Sequence, residues 1–302
     1  MIDLYFMSPP GQGWALRGRA NFRSREAAPV DARAARKEWL TFASAIEERG
    51  GTVVALYPPA DDLTGMPYAA ECGHVVMASG RPLFLLPNMA APHRRGERVH
   101  WEALAAKMGL TPTDIGGGTW EAQGDVATFD GVTLLFFGGR TDRAGMEAAA
   151  RFFDGEVLKL EIREPAFHGN MALLPLPAAN RMLVCEDVME TASFMSLVDR
   201  FGAERVALVS EGEIRSYATN GLPIGPTLLA PHLIPSRVAA LVTSAGMTVE
   251  ILSLRELCEK AGGASRCLVS HARLPDGLVH LPEENRLSAI RARIEAEDGP
   301  LG

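Results

Sequence analysis

The sequence lacks the features that mark membrane, secreted and nucleic-acid-binding proteins. No apolar run approaches the roughly 20 residues that a membrane span requires. Residues 1–7 include Asp3 and show no basic region ahead of a long apolar segment, as a signal peptide would. With 30 Lys and Arg against 37 Asp and Glu, the net charge of −7 offers no broad positive surface to nucleic acid or anionic membrane. We therefore expect a cytoplasmic protein with neither partner, whose acidic field suits a small cationic substrate.

Cysteine is scarce, and the spacing of the other potential ligands argues against a metal or organic cofactor. The four cysteines form no close pairs, which excludes a disulfide framework and a C-x-x-C metal site. They are Cys72, Cys185, Cys258 and Cys267. The histidines and acids lack metal-ligand spacing, and the glycine triplet 116–118 lacks the Lys and Ser/Thr of a phosphate loop. We expect four free thiols, one of them reactive, with Cys72 as a small buried side chain.

A junction of helix, glycine and strand recurs along the chain. The first follows an amphipathic helix over residues 31–49 and leads into the β-branched run 52–54. The five glycines, separated by 59, 46, 47 and 44 positions, are Gly50, Gly109, Gly155, Gly202 and Gly246. Such a period predicts a repeated α/β architecture, and five strand-rich units could close into a ring without free sheet edges. The alternative is an open, doubly wound α/β sheet, whose helix ends also favour glycine.

Five residues able to carry chemistry follow nearly the same period. Glu71, Glu121, His168, Asn220 and Cys267 are separated by 50, 47, 52 and 47 positions. Equivalent points of a closed repeat face a common axis, so a ring would bring these side chains together. A thiol beside an imidazole loses its proton more readily, and a carboxylate bonded to the other ring nitrogen fixes the imidazole. Cys267, His168 and Glu121 are therefore the predicted nucleophile, general acid/base and supporting carboxylate.

Several short motifs resemble the guanidino-group-modifying enzymes of the pentein superfamily, which include dimethylarginine dimethylaminohydrolases, arginine deiminases and amidinotransferases. The resemblance covers about residues 71–268. Its motifs are Arg94-Arg95-Gly96-Glu97, residues 121–125, Gly139-Arg140-Thr141-Asp142, Phe167-His168 and residues 262–267. It implies a five-bladed α/β propeller with pseudo-fivefold repeat, in agreement with the period found from the glycines.

The resemblance also implies a reaction and a substrate site. Cys267 would attack a guanidinium carbon to form a thiouronium adduct, and His168 would protonate the departing amine and then activate water. Arg94 and Arg140 match arginines that lie near or bind a substrate carboxylate, which suits a planar guanidinium. Glu121 would orient His168 or hold the substrate nitrogens, and Glu71 and Asn170 would belong to the site that binds the cation. Asp125 would contact the substrate or serve as an acceptor for strand amides.

Two departures from the family pattern affect the cation site. Relatives that bind arginine commonly have His-Leu-Asp where this chain has His168-Gly169-Asn170, and an Asp where it has Glu71. Asn170 removes one anion, so charge pairing weakens although hydrogen bonding persists. The predicted function is hydrolysis of a C–N bond in an arginine-like or methylated-arginine-like guanidine or amidine. An amidinotransferase and a non-catalytic pentein binding protein remain alternatives; a papain-like peptidase fits poorly because its nucleophile lies early in the chain.

The domain prediction is one catalytic unit over residues 1–302. Its composition, 47% hydrophobic and 22% charged, supplies enough apolar material for a core. A terminal helix and tail are expected over 283–302. The Gly- and Arg-rich loop 9–28 is long for a compact domain, and we expect its part 11–25 to lie near the mouth of the site.

Overall fold

The protein was analysed as a computed structural model, which describes residues 1–16, 21 and 23–300. Fifteen strands are present within this described part. They are β1 (Ile2–Met7), β2 (Thr52–Ala55), β3 (His74–Ala78), β4 (Arg81–Leu86), β5 (Thr111–Asp114), β6 (Val126–Phe129), β7 (Val132–Phe137), β8 (Val157–Glu161), β9 (Leu173–Leu176), β10 (Arg181–Val184), β11 (Val206–Leu208), β12 (Leu222–Ile224), β13 (Thr227–Pro231), β14 (Thr248–Leu252) and β15 (Ser270–Leu274).

The strands form five sheets of three, which we call blades. Their strand orders are β15-β1-β2, β3-β4-β5, β6-β7-β8, β9-β10-β11 and β12-β13-β14. In each blade the middle strand pairs antiparallel with the first-named strand and parallel with the third. Because β1 pairs with β15, the two ends of the chain share one blade, and the repeat closes on itself.

A helix links the middle and third strands of every blade, as a parallel pair requires. These five helices are α1 (Ala32–Glu47), α2 (Arg98–Lys107), α3 (Arg143–Ala150), α5 (Thr191–Phe201) and α7 (Ser236–Ser244). The structure also contains α4 (Gly169–Ala172), α6 (Glu211–Ile214) and α8 (Leu287–Asp298). All five junction glycines have φ between 83° and 89°. That left-handed conformation suits glycine, which explains why it recurs where each helix turns into a strand.

The apolar core lies between neighbouring blades rather than under one sheet. One buried cluster joins the β1 and β3 blades, and a second joins the β3 and β6 blades. A third extends through the β6, β9 and β12 blades, and a fourth joins the β12 and β1 blades together with α1 and α8. Every blade therefore packs against the next around the whole ring. As a result, the polar side chains that come just before the first-named strand of each blade lie together at the centre of the ring.

The terminal helix begins later than the sequence suggested. Residues Glu283–Asn285 form a 3₁₀ turn, and α8 follows at Leu287. Arg36 of α1 is fully buried and pairs with Glu297 and Asp298 of α8, at 2.5 and 3.2 Å. This contact ties the last helix to the first. Within the described residues no helix is both long and apolar enough to cross a membrane.

Candidate active site

The five residues of the predicted series all stand just before the first-named strand of their blades. Glu71 ends the 3₁₀ turn Ala69–Glu71, Glu121 and His168 precede the turns Ala122–Asp125 and α4, and Cys267 lies in the turn Ser265–Leu268. Asn220 comes two residues before β12. All five are buried, with at most 7% of their surface exposed. The structure thus brings together the side chains that the period grouped.

His168 lies between two carboxylates. Its Nε2 is 2.7 Å from Oε2 of Glu121, and its Nδ1 is 3.4 Å from Oε1 of Glu71. The other oxygen of Glu121, Oε1, accepts the amide of Ala90 at 3.0 Å. Burial alone would lower the pKa of His168, but Asp125, Glu121 and Glu71 outweigh it and raise that pKa above its ordinary value. The three carboxylates therefore favour the imidazolium form of His168.

Asp125 joins the backbone segments that carry this pair. Its Oδ1 accepts the amide of Gly169 at 2.7 Å, and its Oδ2 accepts the hydroxyl of Thr141 at 2.7 Å. The Thr141 oxygen in turn accepts the amide of Glu121 at 3.0 Å. Burial raises the pKa of Asp125 to about 6. The carboxylate thereby fixes the position of His168 relative to Glu121, and the one backbone amide that it accepts belongs to α4 and not to a strand.

Cys267 is held by two asparagines. Its amide donates to Oδ1 of Asn220 at 3.3 Å, and Nδ2 of Asn170 donates to its Sγ at 3.6 Å. Nδ2 of Asn220 donates to the carbonyl of Asn170 at 3.3 Å, so the two asparagines also hold each other. Burial and the nearby Glu71 raise the pKa of the Cys267 thiol to about 11. The resting thiol is therefore protonated.

Two buried polar atoms in this group make no hydrogen bond to any part of the chain that the structure describes. They are Nδ1 of His168 and Oδ1 of Asn170. Buried polar atoms normally have partners, and unsatisfied ones need an explanation. Their position beside Cys267 and Glu71 indicates a place where a ligand with N–H or C–O groups would complete the set.

The two predicted arginines have different surroundings. Arg94 is buried, and its guanidinium binds both Glu71 and Glu97. The Arg140 side chain remains 20% exposed, lies over the Phe167 ring at 4.5 Å and is 3.6 Å from Oε2 of Glu121. Both arginines line the cleft that leads to Cys267.

The cleft above Cys267 has a cavity volume of about 80 Å³. Its lining includes Glu71, Arg94, Arg140, Phe167 and Cys267. The expected contribution of the 11–25 loop is seen in Leu16, Asn21 and Ser24, which also line the cleft, while residues 17–20 and 22 of that expectation lie outside the described residues. Nδ2 of Asn21 donates to the carbonyl of Ala261 at 2.9 Å, which fixes this part of the loop next to the Cys267 turn.

Sequence reasoning missed three members of this site. Thr141 and Phe167 stood in the motifs that carried the resemblance, but no role was predicted for either. Glu97, three residues after Arg94 in a 3₁₀ turn, supplies the second carboxylate of Arg94 at 2.7 Å. The Arg-x-x-Glu spacing was a usable signal, because residues three apart are neighbours on a helical turn. Cys72, Cys185 and Cys258 are free thiols, as expected, and Cys72 is buried as predicted; Cys185 and Cys258 are buried as well.

Comparison with solved structures finds the same fold in several proteins. The N-terminal domain of ArgZ, an arginine dihydrolase from the ornithine–ammonia cycle in cyanobacteria, solved with bound product, is 22% identical with a TM-score of 0.81; the match covers 91% of this chain and 99% of that domain. Full-length ArgZ in its apo form is 20% identical with a TM-score of 0.80, and the match covers 94% of this chain but 42% of that one.

A more distant match is dimethylarginine dimethylaminohydrolase, solved as an adduct with S-methyl-L-thiocitrulline. It is 17% identical with a TM-score of 0.66, and the match covers 90% of this chain and 100% of that one. No family model matches the sequence, and a search of curated proteins finds no match. The structural matches confirm the predicted five-bladed pentein-type α/β propeller. The doubly wound sheet considered above is wrong, since the sheets are five and small.

Proposed function

We propose that this chain is a cysteine-dependent hydrolase that cleaves a C–N bond of a guanidine or amidine. The observation that carries the proposal is the convergence on one cleft of a buried thiol, a histidine between two carboxylates and two unpartnered polar atoms. A nucleophile, an acid/base and a group that orients the base are the parts that covalent catalysis needs. The fold shared with arginine dihydrolase and dimethylarginine dimethylaminohydrolase supports the same class.

In the first half of the proposed reaction, Cys267 releases its proton to solvent as the guanidinium binds, and the thiolate sulfur forms a bond to the guanidinium carbon. One C–N bond then breaks, and the departing nitrogen takes a proton from the His168 cation. The products of this half are a free amine or ammonia and a thiouronium joined to Cys267. Oδ1 of Asn170 is an acceptor for the substrate N–H groups, because it lacks another partner among the described residues.

In the second half, the now neutral His168 takes a proton from water, whose oxygen bonds to the same carbon. The C–S bond breaks, and the new C–OH group gives its proton to the departing thiolate, which releases a ureido product and restores the Cys267 thiol. Glu121 holds the imidazole through Nε2 in both halves. His168 thus returns to its starting cationic state, and the net change is addition of one water and loss of one amine.

The cationic substrate supplies part of the activation. With its pKa at about 11, the thiol of Cys267 is protonated in the empty site at neutral pH. A guanidinium placed against the sulfur favours the thiolate, since an opposite charge within about 4–6 Å lowers a thiol's pKa. Asn170 adds a hydrogen-bond donor to the same sulfur. The substrate would therefore generate the nucleophile that attacks it.

The test is a panel of guanidines comprising arginine, methylated arginines and agmatine, assayed for ureido product and for released amine. Wild type should turn over at least one member, and Cys267→Ser should not. Cys185→Ala, which changes a buried thiol in another blade, is the matched control and should stay active. Mass spectrometry of quenched wild type should show a covalent adduct on Cys267 whose mass identifies the transferred carbon unit.

Two results would contradict this proposal, and each would favour one of the alternative functions. Turnover that requires an added amine, with that amine recovered in amidinated form, would make the protein an amidinotransferase. An absence of turnover and of labelling of Cys267 by amidine-based reagents would leave a non-catalytic binding protein of the same fold.

A further inference from the structure

Arg266 stands next to the nucleophile in the turn Ser265–Leu268 but does not reach the cleft. Its side chain is partly buried, and it is not among the described residues that line the cavity above Cys267. Nη1 of its guanidinium donates instead to the carbonyl of Leu173 at 2.6 Å and to that of Thr219 at 3.2 Å. Both carbonyls belong to buried residues. The guanidinium therefore binds the packed ends of two other blades and not a substrate.

These two carbonyls belong to the segments that hold the nucleophile. Leu173 begins β9, directly after α4 and its Asn170. Thr219 directly precedes Asn220. The backbone amide of Arg266 also donates to the carbonyl of Asn220, at 3.1 Å. Arg266 thus connects the turn of the nucleophile with both asparagines that contact it.

No carboxylate pairs with Arg266 in the part of the chain that the structure describes. The partners of its side chain there are the two carbonyl oxygens, whereas buried Arg94 and Arg36 each bind two acids. Taking a charge out of water without an opposite charge is costly, and a neutral donor could serve two carbonyls without that cost. Burial lowers the pKa of Arg266 to about 10, so the group stays a cation at neutral pH. Its hydrogen bonds alone do not explain why this position carries a charge.

The other titratable groups around the Cys267 sulfur do not take the place of this charge. Burial and Glu71 raise the pKa of the thiol, and Arg266 lowers it. His168 and Arg94 each lie between carboxylates. Three further groups are neutral because burial holds their pKa values well above the ordinary range, and these are Tyr68, Tyr217 and Cys258. Arg266 is thus a cation near the sulfur that no described carboxylate neutralises.

We propose that Arg266 is a positioning residue of the nucleophile, whose guanidinium is fixed by the two carbonyls and favours the thiolate of Cys267 through its charge. An opposite charge near a thiol favours the thiolate, and arginine is one of the residues that do so at reactive cysteines. Glu71 opposes ionisation of the same sulfur, so a cation held by the protein offsets part of that effect. This inference rests on the proposed function, in which the thiolate attacks the substrate, and adds to it a residue outside the substrate cleft.

The test is alkylation of Cys267 by iodoacetamide in the empty site, followed by mass spectrometry of the labelled peptide. Arg266→Met should slow the reaction at pH 8 by about threefold or more, because the thiolate fraction falls as the thiol pKa rises and the more basic thiolate is only partly more reactive. Arg266→Lys, which keeps a charge, should react faster than Arg266→Met. Arg151→Met removes an arginine of another blade that also donates to two carbonyls, those of Ala148 and Ile115, and should leave the rate unchanged.

Arg266→Gln separates the charge from the hydrogen bonds and covers the case in which Arg266→Met does not fold. Its side-chain amide can still donate to a carbonyl but is neutral, so alkylation should be as slow as in Arg266→Met. A wild-type rate in Arg266→Gln, or a rate in Arg266→Lys as low as that in Arg266→Gln, would overturn the proposal.

Turnover gives a second measurement. With a guanidine that wild type hydrolyses, the rise of kcat/KM with pH should move to higher pH in Arg266→Gln and return toward wild type in Arg266→Lys. A merely structural role would lower kcat/KM and leave the position of that rise unchanged, which would also overturn the proposal. If wild type turns over no guanidine, the proposed function fails, and the alkylation rates still decide whether Arg266 favours the thiolate.

Discussion

Replacement of Glu121 by glutamine removes the carboxylate that binds Nε2 of His168 and keeps the size of the side chain. Burial raises the pKa of Glu121, but His168, Arg140 and Arg94 outweigh it and lower that pKa to about 2, against an ordinary value of 4.5. At about 1.4 kcal/mol for each tenfold change, the net effect of the cations and of burial favours the carboxylate form by about 3 kcal/mol. The hydrogen bond between Glu121 and His168, at 2.7 Å, is shorter than the 3.6 Å contact between Glu121 and Arg140.

The effect on His168 follows from the same energy. Since the interaction is mutual, loss of the Glu121 charge should lower the pKa of His168, with Glu71 and Asp125 still in place. The imidazole would then hold its proton less firmly, and protonation of the departing amine would become less frequent. We expect kcat at pH 7 to fall by about 10²-fold or more, the usual contribution of a general acid.

Two assays test this prediction. NMR titration of His168 should show its pKa lowered in Glu121→Gln, and the pH profile of kcat should move toward acid. Glu102→Gln, an exposed carboxylate of α2, is the control and should change neither. If Glu121→Gln lowers kcat while the His168 titration stays at its wild-type pH, the electrostatic reasoning is refuted, and Glu121 acts through substrate contact instead.

Three further changes have defined outcomes. Burial raises the pKa of Asp125 to about 6. The contribution of this group to the free energy of unfolding is therefore fully present below about pH 4 and is lost as the pH rises through 6. In urea unfolding, the stability of Asp125→Asn should not show this decrease between pH 4 and pH 6. Arg36→Met removes the buried cation that pairs with Glu297 and Asp298, so it should lower the free energy of unfolding by about 3 kcal/mol. Arg33→Met, a change at an exposed position, should alter that free energy by less than about 0.5 kcal/mol. Asn170→Asp replaces a donor to Cys267 with a charge, so alkylation of the thiol by iodoacetamide should slow at pH 8 relative to wild type.

The repeat could be predicted from the sequence because two kinds of residue recur at nearly the same period, the junction glycines and the polar residues of the site. The glycines recur because each helix-to-strand junction needs a left-handed residue, as at Gly109 with φ of 84°. Polar residues such as His168 and Cys267 recur because each blade begins at the axis. These local requirements have local sequence signals, and together they predicted the ring and most of its central side chains.

Contacts between blades carry no such signal. Residues 171–176 form one apolar run, which is typical of a buried strand, yet Met171 lies in the helical turn α4 and β9 begins at Leu173. The turn forms because the amide of Gly169 donates to Asp125 and that of Met171 to the carbonyl of His168. The pairing of Arg94 with Glu71, 23 positions earlier, likewise depends on how two segments meet.

Asn170, which looked like a loss of cation binding, has a physical reason in the assembled site. The site already holds four carboxylates, which are Glu71, Glu97, Glu121 and Asp125. An aspartate at position 170 would add a fifth anion next to the sulfur and would oppose thiolate formation. Asn170 instead donates to Sγ of Cys267 and keeps an unpartnered oxygen for an N–H group. The same residue that weakens charge pairing with the substrate therefore favours the thiolate that must attack it.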